Sequence, residues 1–439
     1  MTLLLAGAAF RSAEELLEPY RADVDGPFGT REAAHLLRRA AFGGTLAERT
    51  RLAALGPEHA VLDLTEPREP EGEYAALLAA LAPLASVDDL ATCQSLWLAR
   101  MLHDPRPFGE ALALFWHGHF ATSVVKVQRE RLLVRQVDTL RRLGAGPLLP
   151  LVLAVARDPA MIVWLDGNAN RRHHPNENFA RELMELFTLG RGHYGERDVL
   201  EAARAFTGWQ ERDGAFRDVP GEHDEGEKEV LGERGAFDGE DVVRLCLAQP
   251  ACAVHVAGRL FRHFVRPDPE PELLEVLAVR YRDSGLDTLA LLRTLLASRA
   301  CFEPRARRAL IATPAAHALG AARVLGLRPD CKLLADRVAG LGQSLYAPPS
   351  VKGWDGGRAW INPATLIGRI NLAAHYGGLA AQHADDVEAA AGGRDAPALV
   401  EAVLDGELPE AARGRLDELA GDLAGQVQLL LSLPEAQLA

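Results

Sequence analysis

Apolar residues recur along most of this chain three and four positions apart, the period of one buried face of an α-helix. The first clear case is 31–41 (REAAHLLRRAA), a helix predicted to stop at Gly43-Gly44. Thr45 stands ready to cap the next helix, and Gly56-Pro57 separates another. The same period predicts helices over 74–84, 88–102, 109–119, 128–143, 147–157 and 159–165. Two more follow at 177–189 and 196–206, joined by a short glycine-rich loop, which makes an αα-hairpin. Helices resume at 241–248, 253–264, 271–284, 288–297 and 313–325, and the tail from Asp385 returns to acidic amphipathic helices.

Three stretches break the period. Residues 63–73 are rich in Glu and Pro and read as a surface loop. Residues 210–239 are dense in Gly, Asp and Glu and read as an irregular excursion, ordered or lid-like. Residues 347–362 (APPSVKGWDGGRAWIN) read as a rigid, Trp-rich loop. The pattern therefore predicts a mainly α, multi-helix array. Residues 1–30 form an N-terminal extension, 31–384 a helical core of one or two lobes, and 385–439 an acidic helical segment packed on that core.

Composition narrows this picture. A chain of 439 residues exceeds the roughly 250–300 at which single cores stop growing. Ala and Leu dominate while Ile, Tyr and Thr are sparse, which favours helix over strand. A net charge of −13 argues against a broad nucleic-acid face. The basic cluster Arg129, Arg131, Arg135, Arg141 and Arg142 recurs at helical spacing among Leu and Val, as a solvated helix face does. The five cysteines include no C-x-x-C pair and read as small buried thiols rather than disulfides or zinc thiolates. Residues 1–10 are apolar but lack a basic n-region, a poor export signal. The longest apolar run, 147–165, is broken by Arg157-Asp158-Pro159, so no membrane span is expected and the cytoplasm is the default location.

The candidate chemistry concentrates in 176–209. Asn176 is a good N-cap for the helix that follows, and Gly190 stands where a left-handed C-cap belongs. Phe179, Leu183 and Leu186 make an apolar face, while Asn178, Glu182 and Glu185 share a polar stripe and Glu177, Arg181 and Glu185 another. Two carboxylates on one face can ligate a cation, or can hold opposite protonation states for acid–base work. Equally, they can form an ion-pair network with Arg181 and Arg204 that locks the helix in place.

Other groups are placed to join them. Phe115-Trp116-His117-Gly118-His119-Phe120 offers two imidazoles, about 200° apart if helical, so only one can reach the stripe; His119 is favoured over His117. His223-Asp224 with Lys228 can supply a ligand or base from the excursion, or form a capped turn. His173-His174 precede the helix N-terminus, where anions are welcome. The candidate metal ligands are thus His119, Asn178, Glu182, Glu185, His223 and Asp224, suited to Zn, Mn or Fe, and the candidate catalytic residues are Glu182, Glu185 and Arg181. Trp354 and Trp360, among the prolines and glycines of the late loop, suit a sugar, a peptide or simple packing. There is no G-x-S-x-G elbow, Walker loop, H-E-x-x-H or dinucleotide fingerprint.

Together these motifs are familiar. His35 to Gly43, the Phe-Trp-His-x-His-Phe run, Asn176 to Leu186, Asp198-Val199 through Thr207-Gly208-Trp209, His223-Asp224 and Pro348-Pro349 to Trp354 resemble the large bacterial family called domain of unknown function 1800. The resemblance runs from His35 to Pro434-Glu435. It implies no particular activity and no agreed catalytic residues. It also implies a frequent companion, a protein of a second family related to alkaline phosphatases and sulfatases that often carries an export signal. Gly195 departs from the Thr or Ser that commonly caps the second helix, and this chain lacks a clear export signal, so export with a partner stays open. Two functions follow as expectations: a metal-dependent hydrolytic or oxidative enzyme at the carboxylate stripe, or a non-catalytic scaffold for the phosphatase/sulfatase-like companion.

Overall fold

The structure is a computed structural model that describes residues 11–86 and 88–439; the apolar stretch 1–10, read above for an export signal, lies outside them. Helix starts follow from short polar side chains that accept otherwise orphaned backbone N–H groups. Asp89 accepts from Thr92, Asp238 from Asp241, Asp287 from Ala290 and Thr313 from Ala316. Prolines open other helices, among them Pro159–Trp164, Pro250–Phe264 and Pro363–Gln382, where a missing N–H loses nothing. The described residues hold 25 α-helices, and none is long and apolar enough to cross a membrane.

The apolar faces bury into two clusters. The first gathers Leu36, Leu37, Leu183, Met184, Phe187, Phe261 and Phe264, among others. The second gathers Trp97, Leu98, Leu319, Tyr346, Tyr376 and, from the acidic tail, Leu399, Leu416 and Leu430. Helix Phe108–His119 belongs to both. Its Leu112, Phe115 and Trp116 enter the first cluster, while Ala111, Ala113 and Leu114 enter the second. Each fully buried Leu or Phe in these clusters contributes roughly 1.5–3 kcal/mol.

Residues 13–30 dock on the first cluster through Leu16, Leu17 and Tyr20, and Asp25 pairs with Arg299 at 2.9 Å. The basic helix Glu130–Leu143 is less solvated than its sequence implies. Arg141 reaches the buried Glu110 at 2.7 Å, Arg129 reaches Glu211 at 2.9 Å, and Arg135 donates to the Gly214 carbonyl.

The excursion at 210–239 is ordered but not irregular. It holds two antiparallel hairpins, Trp209–Arg212 with Ala215–Asp218, and Lys228–Val230 with Glu233–Gly235. Asp213 (φ 55°) and Gly214 (φ 75°) make the two-residue, left-handed turn that suits the strand twist. The second hairpin is anchored by fully buried Val230 and by Asp198, which accepts the Leu231 N–H at 2.7 Å. In the 347–362 stretch, the short 3-10 helix Gly357–Trp360 interrupts the predicted loop. Gly353 has φ 78° and lies backbone-to-backbone on Gly118; any Cβ there would collide with the Gly118 carbonyl. Two motifs 235 positions apart thus meet through glycines.

Candidate active site

The hairpin's first helix begins one residue later than predicted, with Glu177 rather than Asn176 at its N-cap, and then changes form. Asn176 Oδ1 accepts the Asn178 N–H at 3.0 Å, and Asn178–Glu182 is α-helical. Leu183–Thr188 is a π-helix. The Leu189 N–H bonds the Met184 carbonyl five residues back, as a π-turn requires, and the Thr188 hydroxyl adds a side-chain bond to the Leu183 carbonyl at 2.5 Å. Two histidines from other helices hold the end of this segment. His255 Nε2 donates to the Leu186 carbonyl at 2.9 Å and His119 Nε2 to the Phe187 carbonyl at 3.0 Å. Burial holds both imidazoles below the usual histidine range, His119 far below it.

This geometry assigns His119 to the buried side of the helix, among Phe115, Trp116, Phe120 and Phe187. His117 is also fully buried, ringed by Trp97, Tyr346 and Trp354, and burial pushes it down to about 3. Both rings are neutral at pH 7.

The other face carries the carboxylates. Glu185 accepts from Arg191 Nε at 2.7 Å and from the Tyr194 hydroxyl at 2.9 Å. The Arg191 bond outweighs burial and holds its carboxyl below the usual range. Glu182 is half-buried and makes no hydrogen bond or ion pair among the described residues. Burial, and then the charge of Glu185, raise its carboxyl above the usual range, against the opposing charges of Arg181, Lys352 and Arg191. The two carboxyls are therefore driven apart in affinity for protons, as acid and base partners are.

The remaining predicted residues are committed elsewhere. Arg181 forks onto Glu196 (2.9 and 2.6 Å) and bonds Glu177 (2.9 Å), tying the start of one helix to the start of the next. Asn178 is exposed and reaches Asp166 at 3.3 Å. His223 Nδ1 donates to the Thr207 carbonyl at 3.0 Å. Asp224 bonds Arg204 at 2.8 and 3.2 Å, which outweighs burial and pulls its carboxyl down to about 2. Lys228 is buried and donates to the Asp224 and Gly226 carbonyls. His223, Asp224 and Lys228 thus seal the hairpins onto helix Glu196–Ala205. His173 and His174 lie exposed in the preceding loop. Among the described residues no group of three or more His, Cys, Asp or Glu side chains is arranged to hold a metal ion.

Three neighbours of the carboxylates are not singled out by periodicity: Arg191, Tyr194 and Lys352. The first two lie in the turn just after Glu185, close enough in sequence to fold back on it. Lys352, whose charge acts on both carboxyls, arrives from the loop that Gly353 pins to Gly118, and no local signal foretells that approach.

The sequence pattern of the family described as "Protein of unknown function (DUF1800)" matches residues 35–438, and the chain belongs to that family. No curated protein and no solved structure matches it.

Proposed function

We propose, from the site alone since membership of this family carries no activity, that the chain is a hydrolytic enzyme working by acid–base chemistry at Glu182. The observation that supports this is the uncommitted, half-buried Glu182 carboxyl beside a second carboxylate held ionised by Arg191 and Tyr194. In its acid form Glu182 protonates a leaving oxygen as water adds to the substrate, and it regains a proton from that water. Glu185 is a positioning residue: its fixed negative charge adds to burial in raising the affinity of Glu182 for its proton. A π-turn beneath the pair agrees with this reading, because such turns recur at functional sites. A divalent metal (Zn, Mn or Fe) shared with His119, His223 or Asp224 has less support, because those side chains are engaged with Phe187, Thr207 and Arg204. The test is turnover of a panel of chromogenic esters, glycosides and amides by wild type and Glu182→Gln. Loss of at least about 100-fold in a variant that remains folded is expected; turnover retained by Glu182→Gln contradicts the assignment.

A scaffold for an alkaline-phosphatase/sulfatase-like companion is the second reading. It is favoured by Leu366, Ile367 and Ile370, which lie 42, 60 and 40% exposed on one stripe of helix Pro363–Gln382. Retention of the companion by the tagged chain, lost in Ile367→Glu, is the expected result; no retention by the wild type counts against it.

A further inference from the structure

A cleft with a volume of about 460 Å³ lies against helix Phe108–His119 and is lined in part by Trp354. Its lining is unusually cationic for a chain of net charge −13. Arg38 is neutralised by Asp405 at 2.6 Å. Arg39, Arg259 and Arg262 are not neutralised: among the described residues none of them pairs with a carboxylate. Arg39 is only 5% exposed, and its one hydrogen bond is Nη2 to the Ala306 carbonyl; its Nε and Nη1 are buried without partners. Leaving two guanidinium nitrogens dry and unbonded is costly, and an acceptor that opened the packing over them would remove that cost. Asp355 is the single acidic side chain of the lining, and it is exposed. Ala439 also lines the cleft and is paired through its backbone with Leu310.

The arginines come from two elements. Arg39 lies in the last turn of helix Thr30–Ala40, while Arg259 and Arg262 are one turn apart on helix Pro250–Phe264. His263 lies between these charges; burial, Arg39 and Arg259 push it down to about 4, so it is a neutral hydrogen-bonding group at pH 7. Trp354 and Trp360 line the cleft as well and supply flat apolar surface. We propose that this cleft binds a small organic oxyanion, a phosphate or sulfate monoester whose apolar or ring-bearing part lies against Trp354 and Trp360. A carboxylate satisfies one guanidinium fork; three arginines of two helices, with Arg262 exposed at the rim, supply donors enough for the several oxygens of a tetrahedral oxyanion. The volume suits a small molecule, and the overall negative charge repels a polyanion. The inference does not depend on the acid–base reading of Glu182, because it shares no residue with it.

The test is calorimetric titration of the full chain, at one ionic strength, with phenyl phosphate, phenyl sulfate, inorganic phosphate and benzoate. At least one ester is expected to bind about 10-fold or more tightly than benzoate and than inorganic phosphate, and the stronger ester identifies the group recognised. Arg259→Met and Arg262→Met are each expected to weaken that ester about 10-fold or more while leaving the thermal midpoint unchanged. Trp354→Ala brings it down towards inorganic phosphate. The proposal fails if no ester binds by about 10 mM, if benzoate binds equally well, or if the folded arginine variants bind as the wild type does.

Discussion

Half-burying a carboxyl group disfavours its charged form, and a neighbouring carboxylate disfavours it further. Glu182 meets both conditions, whereas Glu185 has Arg191 and Tyr194 to hold its charge. The signs of the resulting effects are opposite. A raised carboxyl destabilises the fold at neutral pH, and that penalty is relieved as pH falls through its folded pKa. Glu182→Gln is therefore expected to raise the thermal midpoint at pH 7 by roughly 1–2 °C, with the gain vanishing in acid. A helix lock would lose stability on the same change, so a lowered midpoint supports the lock. Asp405 shows the contrary case. It is buried among Arg38, Arg49 and Arg308; burial raises its carboxyl, but the three arginines prevail and bring it from 3.8 to about 2. Its stabilisation, roughly 2 kcal/mol, is full above the unfolded value and is lost as pH falls from about 4 to about 2. Asp405→Asn should cost about 3–5 kcal/mol in urea unfolding at pH 7, because it leaves three arginines around an uncharged side chain.

At the scale of elements, the 3.6-residue period made most of the helices legible, together with the αα-hairpin, although the N-cap of its first helix falls at Glu177 and not Asn176. It hid the two β-hairpins. Their strands are three or four residues long, too short for alternation to stand out, and the usable signal was the Asp213-Gly214 turn. The π-turn was illegible for a different reason. The His119 and His255 bonds that meet its carbonyls come from 68 and 69 residues away in sequence, so no local window contains their partners. Removing either imidazole strands a carbonyl: His119→Leu and His255→Leu should each cost about 1–3 kcal/mol in chemical denaturation. The same variants should speed hydrogen exchange at Leu189 and Gly190, while the amides of helix Glu196–Ala205 keep their protection.

Across the whole molecule, the family motifs converge although the chain separates them. The Phe-Trp-His-Gly-His-Phe helix runs between the two apolar clusters, and the Pro-Pro-Ser-Val-Lys-Gly-Trp loop rests on it through Gly118 and Gly353. From that loop Lys352 faces the carboxylates and Trp354 lines the cationic cleft. Sequence spacing could mark each motif, but only the packed backbone shows that one loop serves both places. Gly353→Ala adds a Cβ at a positive φ against a carbonyl, so it should destabilise the fold by more than about 1 kcal/mol and alter Trp354 fluorescence. A variant with wild-type stability and spectrum would remove the loop from this role.

The divergent protonation of the two carboxyls is measured most directly by carbon-13 NMR titration of the Glu182 carboxyl in wild type and in Glu185→Gln. The expected midpoint lies above 4.5 in the wild type and moves down when Glu185 loses its charge. A Glu182 midpoint at or below 4.5, unmoved by Glu185→Gln, would contradict the account.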